Sequence, residues 1–554
     1  MRDQPLIRPS GTFPLKGGRR LPPADVVLRT ASIAAVSLYR NFLSVGLMTT
    51  GSRVLGFVRD ALVAAVLGTG PAADAYLAAF RFPNLFRRLF AEGAFNTAFI
   101  PLFAKHLEQE GMEPARLWAA RIMSWLVVVV TAVTIFAELF MPWILPIFVP
   151  GFLGDQAKYD LTVLLTRICF PYLMCMSLMA AYAAILNGLN RFIASSFAPI
   201  LLNIVMIVFM APLVLYPNTD VQTAIWIAIG TIAGGIAQLA LVYIAIRRAK
   251  FVPRLHWPKF DAEVRRFWVL AIPAVIAGGI TQVNIFVGTI IASSAASAIA
   301  YLYYADRLYQ LPLGIIGIAI GTVLLPELSR HLKGGRDKEA DASQNQALLI
   351  SMLLSMPAAT ALIALATPIV AVLFQRGAFT ATDTYETAQT MVWFSAGLPA
   401  YVLIRVLQPG FFAREDTRTP TVFAGISVVI NIAISLLLFP SLKHVGIAIA
   451  TSVAAWANAA LLGIWLGRRG HFRLPAADWR RHGLIVACSV GMALILWALS
   501  IPLAPYLTPH APLIVQLVAL GALCALGAGL YFIGVHVTGA QPMGLLLVRL
   551  RRGG

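Results

Sequence analysis

Charged side chains are scarce in this sequence, and acidic ones are especially so. Charged residues make up 12% of the 554 residues, with 24 acidic against 43 basic side chains. A soluble globular domain carries about 25% charged residues, so the composition excludes that class. Hydrophobic residues make up 59% of the chain instead, which is typical of a protein that crosses a membrane many times.

Cysteine is also scarce, and its positions match neither a disulfide framework nor a metal site. The sequence likewise lacks a GxxxxGK[ST] loop, a nucleophile–base arrangement and a cluster of metal ligands. These absences argue against a nucleotide-driven pump and an enzyme, and they predict no bound metal or cofactor. The cysteines, Cys169, Cys175, Cys488 and Cys524, all lie in apolar stretches, where cysteine packs as a small hydrophobic residue.

Apolar stretches of about 20 residues or more recur along the chain, each long enough to cross a hydrocarbon core about 30 Å thick. Because a backbone in lipid must satisfy its own hydrogen bonds, each stretch is predicted to be helical. The sequence therefore predicts an all-α polytopic membrane protein with fourteen transmembrane helices. They lie near residues 42–68, 74–104, 118–148, 161–187, 195–216, 222–246, 267–292, 297–328, 346–374, 387–412, 419–440, 445–467, 483–503 and 511–537.

Basic residues are concentrated in alternate loops between these stretches. Residues 247–266 alone hold seven Lys or Arg side chains, whereas the loops on the opposite side hold only Lys158, Arg376 and Lys443. This asymmetry is the positive-inside pattern, and it predicts that both termini are cytoplasmic. It also accounts for most of the net charge of +19 without a nucleic-acid partner.

The chain contains a duplicated half. Ala75-Tyr76-Leu77 recurs 225 residues later as Ala300-Tyr301-Leu302, and Lys105-His106-Leu107 recurs at the same spacing as Arg330-His331-Leu332. Six spans separate the copies, which predicts two parallel, pseudo-symmetric six-helix lobes about a central site, followed by two extra helices. The predicted units are a disordered basic cytoplasmic tail at 1–40, an N-lobe at 41–250, a C-lobe at 251–470 and a C-terminal unit at 471–554.

Charged residues also occur inside the predicted spans, where each would cost about 2.5–3.5 kcal/mol if isolated in lipid. Arginines outnumber the neighbouring acids, so these side chains are expected to line a water-filled or substrate-filled cavity of net positive charge. Because the planar guanidinium group suits phosphate oxygens, the cavity predicts an anionic cargo. The residues concerned are Arg53, Arg59, Arg81, Arg87, Arg88 and Arg307, with Asp60, Glu92 and Asp306 as the nearby acids.

Helical spacing separates candidates for substrate contact from candidates for ion pairing. Arg53 and Asp60 share a helix face, whereas Arg59 points about 120° away from Arg53 and could meet a different helix or the cavity edge. Arg88 and Glu92 have the i,i+4 spacing of an ion pair along one helix. A structural ion pair stays an alternative for Asp60. Substrate contact is favoured for Arg53, Arg87 and Arg307.

Other polar residues in the spans have less specific interpretations. Asp74 opens the second span, where an acidic residue usually caps the start of its helix. Asn203 and Asn431 are more typical of helix–helix contacts than of cargo binding. Arg167 and Arg405 lack neighbouring charge, so cavity lining and snorkelling towards the interface both stay open.

Four segments carry specific motifs: Ser52–Asp60 (SRVLGFVRD), Ala73–Ala75 (ADA), Phe82–Phe95 (FPNLFRRLFAEGAF) and Tyr303–Leu308 (YYADRL). Together they resemble the MurJ/MviN lipid II flippases of the MOP transporter superfamily. The resemblance implies a protein of the bacterial inner membrane that moves lipid II, an undecaprenyl-pyrophosphate-linked disaccharide-pentapeptide, from the cytoplasmic to the periplasmic leaflet for peptidoglycan synthesis. It also implies that the last two helices form a groove for the lipid tail.

The resemblance implies that the charges required in the family correspond here to Arg53, Arg59, Asp60, Asp74, Arg87 and Arg307. From these positions and the predicted cationic cavity we predict a mechanism of alternating access. The pyrophosphate would be received by Arg53, Arg59, Arg87 and Arg307. The supporting charges would be Asp60, Asp74, Arg88, Glu92 and Asp306.

The energy source and the alternatives are less constrained. Some members of the family are thought to bind sodium through acids in the seventh and eleventh helices, where this chain offers Asn284, Asn431 and Ser435 but no carboxylate. Coupling to membrane potential or to a monovalent ion is therefore the expectation. The alternatives are a flippase for another lipid-linked oligosaccharide, a cation-coupled drug exporter of the same superfamily, and a non-transporting scaffold for peptidoglycan-synthesis proteins. A drug exporter would favour an acidic cavity.

Overall fold

The computed structural model describes the backbone of residues 24–86, 95–216 and 218–540. Over these ranges the chain is helical and contains no β-strand, which confirms the all-α prediction. Side chains are described over the same ranges except at residues 24–45, 95–97, 274–281, 283–284, 318–319 and 321–322.

The first half of the chain forms eight α-helices and a short 3-10 helix at Pro150–Gly154. Helix α1 begins at Ala24, inside the predicted disordered tail 1–40, so it is longer at its start than the sequence analysis predicts. Glycine and proline are absent from residues 24–45, so nothing there opposes a helix; residues 1–23 lie outside the described ranges. The helices are α1 Ala24–Leu67, α2 Pro71–Phe86, α3 Phe95–Gln109, α4 Met112–Phe148, α5 Gln156–Cys169, α6 Tyr172–Gly188, α7 Ile193–Leu215 and α8 Asp220–Arg248.

The second half forms nine more helices, one of which covers two predicted spans. That helix reverses at Lys443, whose backbone is non-helical (φ 47°, ψ −128°). Its two halves lie side by side, because Ser427 Oγ donates a hydrogen bond to the Ala454 carbonyl at 2.9 Å. The helices are α9 Ala262–Ala292, α10 Ala298–Lys333, α11 Asp337–Ala364, α12 Ala366–Phe374, α13 Ala381–Phe412, α14 Arg418–Arg468, α15 Ala476–Ser500, α16 Ala504–Leu507 and α17 Leu513–Val537.

Packing divides most of these helices into two bundles. In the first bundle, α1–α8, helix α7 packs against α1 and α8, and α2 packs against α5. In the second bundle, α10–α14, helix α13 packs against α10, α11 and α14. Helix α9 contacts α3 and α4 of the first bundle and α14 of the second, while α15 and α17 pack on each other and on α11. The boundaries of the predicted lobes and of the C-terminal unit stay predictions.

Nine stretches of the described residues are each long and apolar enough to cross a membrane. Large hydrophobic side chains such as Phe136, Trp143 and Leu437 are exposed on their outer faces. That pattern is expected where lipid, which is as apolar as the side chains, surrounds the protein. The number of fourteen crossings stays a prediction.

Candidate substrate site between the two bundles

Polar and small residues form a stripe along one face of α10. Tyr303, Arg307, Gln310, Gly314 and Gly317 follow each other at steps of four, three, four and three residues. This spacing keeps all five on one face of a helix. The stripe faces α1 of the first bundle, through Tyr303 and Gly314, and α13 of the second bundle, through Gly317.

A single buried carboxylate ties α1 to α10. Asp60 is 3% exposed, and its Oδ1 accepts hydrogen bonds from Arg59 Nη2 at 2.7 Å and from the Tyr303 hydroxyl at 3.0 Å. Arg307 Nε lies 3.3 Å from Asp60 Oδ2, an ion pair without hydrogen-bond geometry. One carboxylate therefore neutralises two guanidinium groups only in part.

Arg59 also reaches a second helix of its own bundle. Its Nη1 donates to Asn203 Oδ1 on α7 at 3.1 Å, and Asn203 Nδ2 donates back to the Ser52 carbonyl on α1 at 3.0 Å. Asn203 thus joins α7 to α1. Although Arg53 and Asp60 share a helix face, as the spacing predicts, Asp60 pairs with Arg59 and Arg307 instead.

Two further arginines lie against the glycines of the stripe. The Arg53 guanidinium occupies the space that a Cβ on Gly314 would take. On α13, the Arg405 side chain lies so close to Gly317 that an added Cβ would come 2.7 Å from its Cδ. Arg405 therefore lies beside the stripe.

The other predicted charges have varied surroundings. Arg81 Nη1 donates to Thr289 Oγ1 on α9 at 2.7 Å, and Asp306 accepts a hydrogen bond from Gln310. The predicted roles of Arg87, Arg88 and Glu92, including the Arg88–Glu92 pair, concern residues outside the described ranges and stay predictions.

Asp74 caps a helix of the opposite bundle. Its side chain is fully buried, and its Oδ2 lies 2.8 Å from Lys158 Nζ on α5. Its Oδ1 accepts the backbone N–H of Ala300, in the first turn of α10, at 3.0 Å. That N–H has no partner within its own helix, so Asp74, which lies in the first turn of α2, stabilises the start of α10.

Several other contacts join the bundles at the same end, which we call the closed end (Ala65–Asp74, Ser293–Tyr304 and Gly377–Asp383). Thr69 Oγ1 and the Tyr301 hydroxyl both donate to Asp383 Oδ1, at 2.5 and 3.1 Å. The Ala378 N–H donates to the Ala65 carbonyl at 2.8 Å. The bundles are thus in direct backbone contact here.

Gly377 permits this backbone contact. Its φ is +57°, and an added Cβ would collide with the Ala65 carbonyl oxygen. A side chain in this left-handed backbone region costs roughly 1–2 kcal/mol, and the collision adds to that cost. We therefore expect Gly377→Ala to lower the thermal midpoint of the purified protein by more than a variant that has the backbone cost alone. Gly335→Ala is the matched control, because Gly335 also has a positive φ (+67°) but open space around its Cβ position. Equal shifts for the two variants would show that the close approach is unimportant.

Sequence reasoning did not anticipate the roles of Lys158 and Gly314. The exceptions to the positive-inside pattern were a usable signal: Lys158 pairs with Asp74, and Arg376 donates to Gln516 Oε1 on α17 at 3.0 Å. A second usable signal was the spacing of Gly314 and Gly317, which follow Arg307 by seven and ten residues and so share its helix face.

Two helical bundles that close at one end around a cationic interior have the architecture of a membrane transporter. A family model, lipid II flippase MurJ, matches residues 63–516. The probable lipid II flippase MurJ of Rhizobium tropici is 45% identical over 93% of this chain and 97% of its own length. The lipid II flippase MurJ of Burkholderia cenocepacia is 33% identical over 83% of this chain and 89% of its own. The chain belongs to the MurJ family of lipid II flippases, as its motifs indicate.

Solved structures agree with this family. A lipid II flippase MurJ in an inward closed conformation superposes with a TM-score of 0.71 and 25% identity, covering 89% of this chain and 98% of that one. An inward-facing multidrug resistance MATE family transporter of the MOP superfamily gives a TM-score of 0.62 at 15% identity, covering 76% and 94%. The second likeness shows the shared fold alone. The family is one of transporters, not of catalytic enzymes.

Proposed function

We propose that this protein carries lipid II from the cytoplasmic to the periplasmic leaflet of the bacterial inner membrane by alternating access. The supporting observation is the incomplete neutralisation of the arginines between the bundles. Among the described residues of α10 and of the helices around it, five guanidinium groups accompany two carboxylates, a formal surplus of three positive charges within that set. They belong to Arg53, Arg59, Arg81, Arg307 and Arg405, and to Asp60 and Asp306.

This surplus matches the chemistry of a pyrophosphate. A guanidinium group presents its N–H donors in a planar fork that fits phosphate oxygens. The surplus disfavours the alternative of an exporter for cationic drugs. Lipid-linked sugars without a phosphate would leave these charges unpaired, at a cost in a site screened from water.

The contacts between the bundles indicate which leaflet has access. Asp74, Asp383 and Gly377 join the bundles at the closed end. The positive-inside pattern assigns this end to the periplasm, with both termini in the cytoplasm. The site would then open towards the leaflet that supplies lipid II, and rocking the bundles would reverse its access.

Membrane potential is the energy source that we favour. The seventh and eleventh predicted spans, 267–292 and 419–440, contain no Asp or Glu, and the Ser435 hydroxyl donates to Asn431 Oδ1 at 3.3 Å. A pyrophosphate carries about two negative charges, and each charge that crosses 100 mV contributes about 2.3 kcal/mol. An interior-negative potential therefore favours its outward movement.

The C-terminal helices would serve the rest of the cargo. Helices α15 and α17 pack against α11, outside the two bundles, and their outer faces expose Leu494, Trp497 and Val518. We propose that this apolar pair accommodates the undecaprenyl tail while the head group lies between the bundles. Membrane lipids would surround the same surface. A protein that served only as a scaffold for peptidoglycan-synthesis proteins would not require a site for the lipid tail.

Reconstituted vesicles test the proposal. Fluorescent lipid II should move from the inner to the outer leaflet only when the protein is present, and faster with the vesicle interior made negative. Arg307→Ala should slow transport at least tenfold, since a charged hydrogen-bonding group contributes about 1.5–3 kcal/mol. The control is Arg336→Ala, which removes an exposed arginine paired with Glu339. A wild-type protein that moves no lipid II, or a fully active Arg307→Ala variant, would contradict the assignment.

A further inference from the structure

Arg405 differs from the arginines that the family motifs identify. It lies on α13, where the neighbouring Val402, Val406 and Leu407 are buried against the second bundle, whereas Arg405 itself is exposed. Its Cδ and Nε lie 2.7 and 3.1 Å from the position of a Cβ on Gly317. The side chain therefore runs along the α10 stripe that faces the interior.

Arg53 approaches the same part of α10 from the opposite bundle. Its guanidinium lies over Gly314, one turn from Gly317 on the same face. Either glycine replaced by a larger residue would displace the arginine that rests on it. The two glycines thus form a shallow floor, and one guanidinium from each bundle lies on it.

Neither arginine has an acidic partner among the described residues, unlike Arg59 and Arg307, which share Asp60. A cation inside a predicted membrane span needs water or an anion beside it. An anionic group placed over the glycines would meet two guanidinium groups without displacing a carboxylate first.

The position along α10 is also distinct. Gly314 and Gly317 follow Arg307 by seven and ten residues, which corresponds to about 10–15 Å along a helix. They lie on the side away from the closed end, because α10 begins there at Ala298. An anion that enters from the end opposite the closed end would reach Arg53 and Arg405 before Arg59 and Arg307.

We propose that Arg405 and Arg53 form an entry site for the phosphate groups of the cargo, on the floor made by Gly314 and Gly317. The proposal rests on the proposed function and deepens it. Because the two guanidinium groups belong to different bundles, a phosphate bound between them draws the bundles together on the side away from the closed end. Such a cargo binds one arrangement of the bundles better than the other, which is what a shift between conformations requires.

Binding of undecaprenyl diphosphate and of undecaprenol to the full-length protein in lipid nanodiscs tests the site. Arg405→Ala should weaken undecaprenyl diphosphate binding at least tenfold and leave undecaprenol binding unchanged. Arg405→Lys should show a smaller loss, since an ammonium keeps the charge but not the planar fork. Gly317→Ala should also weaken diphosphate binding several-fold, because it displaces Arg405 and retains every charge.

The control is Gly425→Ala on α14, where an added Cβ meets nothing within 4 Å; its binding should equal that of the wild type. If Arg405→Ala does not fold, the diphosphate affinities of Gly317→Ala and Arg405→Lys still test the entry site. Wild-type diphosphate affinity in all three variants, or an equal loss of undecaprenol binding, would overturn the entry site and leave the proposed function standing. A wild-type protein that transports no lipid II in vesicles would overturn the proposed function itself.

Discussion

Replacing Asp60 with asparagine should separate cargo binding from cargo transport. The variant leaves Arg59 and Arg307 without their shared carboxylate, whose side chain is 4% exposed. Removing one partner of a buried ion pair costs about 3–5 kcal/mol, a large part of a net stability of roughly 5–15 kcal/mol; because Arg307 is about one-third exposed, we expect the lower end. The thermal midpoint and the transport rate should therefore both fall, the latter at least tenfold.

Binding should respond in the opposite direction. In the wild type, Asp60 competes with phosphate for two guanidinium groups, and the neutral side chain removes that competition. Undecaprenyl diphosphate should thus bind Asp60→Asn at least as tightly as the wild type. Asp306→Asn is the matched control: this neighbouring carboxylate accepts a hydrogen bond from Gln310, and its replacement should have a smaller effect on both measurements. Weaker diphosphate binding by Asp60→Asn would show that Asp60 organises the arginines for the cargo.

The sequence predicts much of this site because its chemistry depends on local spacing. Charges inside apolar stretches predict that α1 and α10 line a cavity, but the spacing did not predict that Asp60 pairs with Arg59, its neighbour on α1. The motifs around Arg53 and Arg307 then indicate the family. Helical periodicity and the cost of buried charge suffice for these inferences.

Contacts between distant segments could not be predicted in the same way. Lys158 meets Asp74 across 84 residues, and Asp74 meets Ala300 across 226. Arg405 gains its position only because α13 packs against α10 where glycine leaves room. Periodicity shows which face of a helix is polar, but not which other helix faces it. Only the packing of the helices shows which residue each of these side chains contacts.

The pair formed by Asp74 and Lys158 should control how firmly the closed end stays shut. Asp74→Asn retains an oxygen that can accept the Ala300 N–H, so it removes the charge and keeps the helix cap. It leaves the Lys158 ammonium, 9% exposed, without its partner. With a cost of about 3–5 kcal/mol for a broken buried pair, opening of this end should become at least about 100-fold more frequent. Amide hydrogen exchange should accelerate in residues 69–76 and 298–304, and lipid II transport should fall with it.

The double variant Asp74→Asn/Lys158→Gln distinguishes this pair from a general loss of packing. Two neutral amides of similar size leave no unpaired charge, and replacing both partners of a buried pair is milder than replacing one. Hydrogen exchange in the double variant should return most of the way to the wild-type rate. If it exchanges as fast as Asp74→Asn, the charge pair is not what holds the end shut; the hydrogen bonds of Asp383 and the backbone contact at Gly377 would then carry the closure. A wild-type exchange rate in Asp74→Asn itself would lead to the same conclusion.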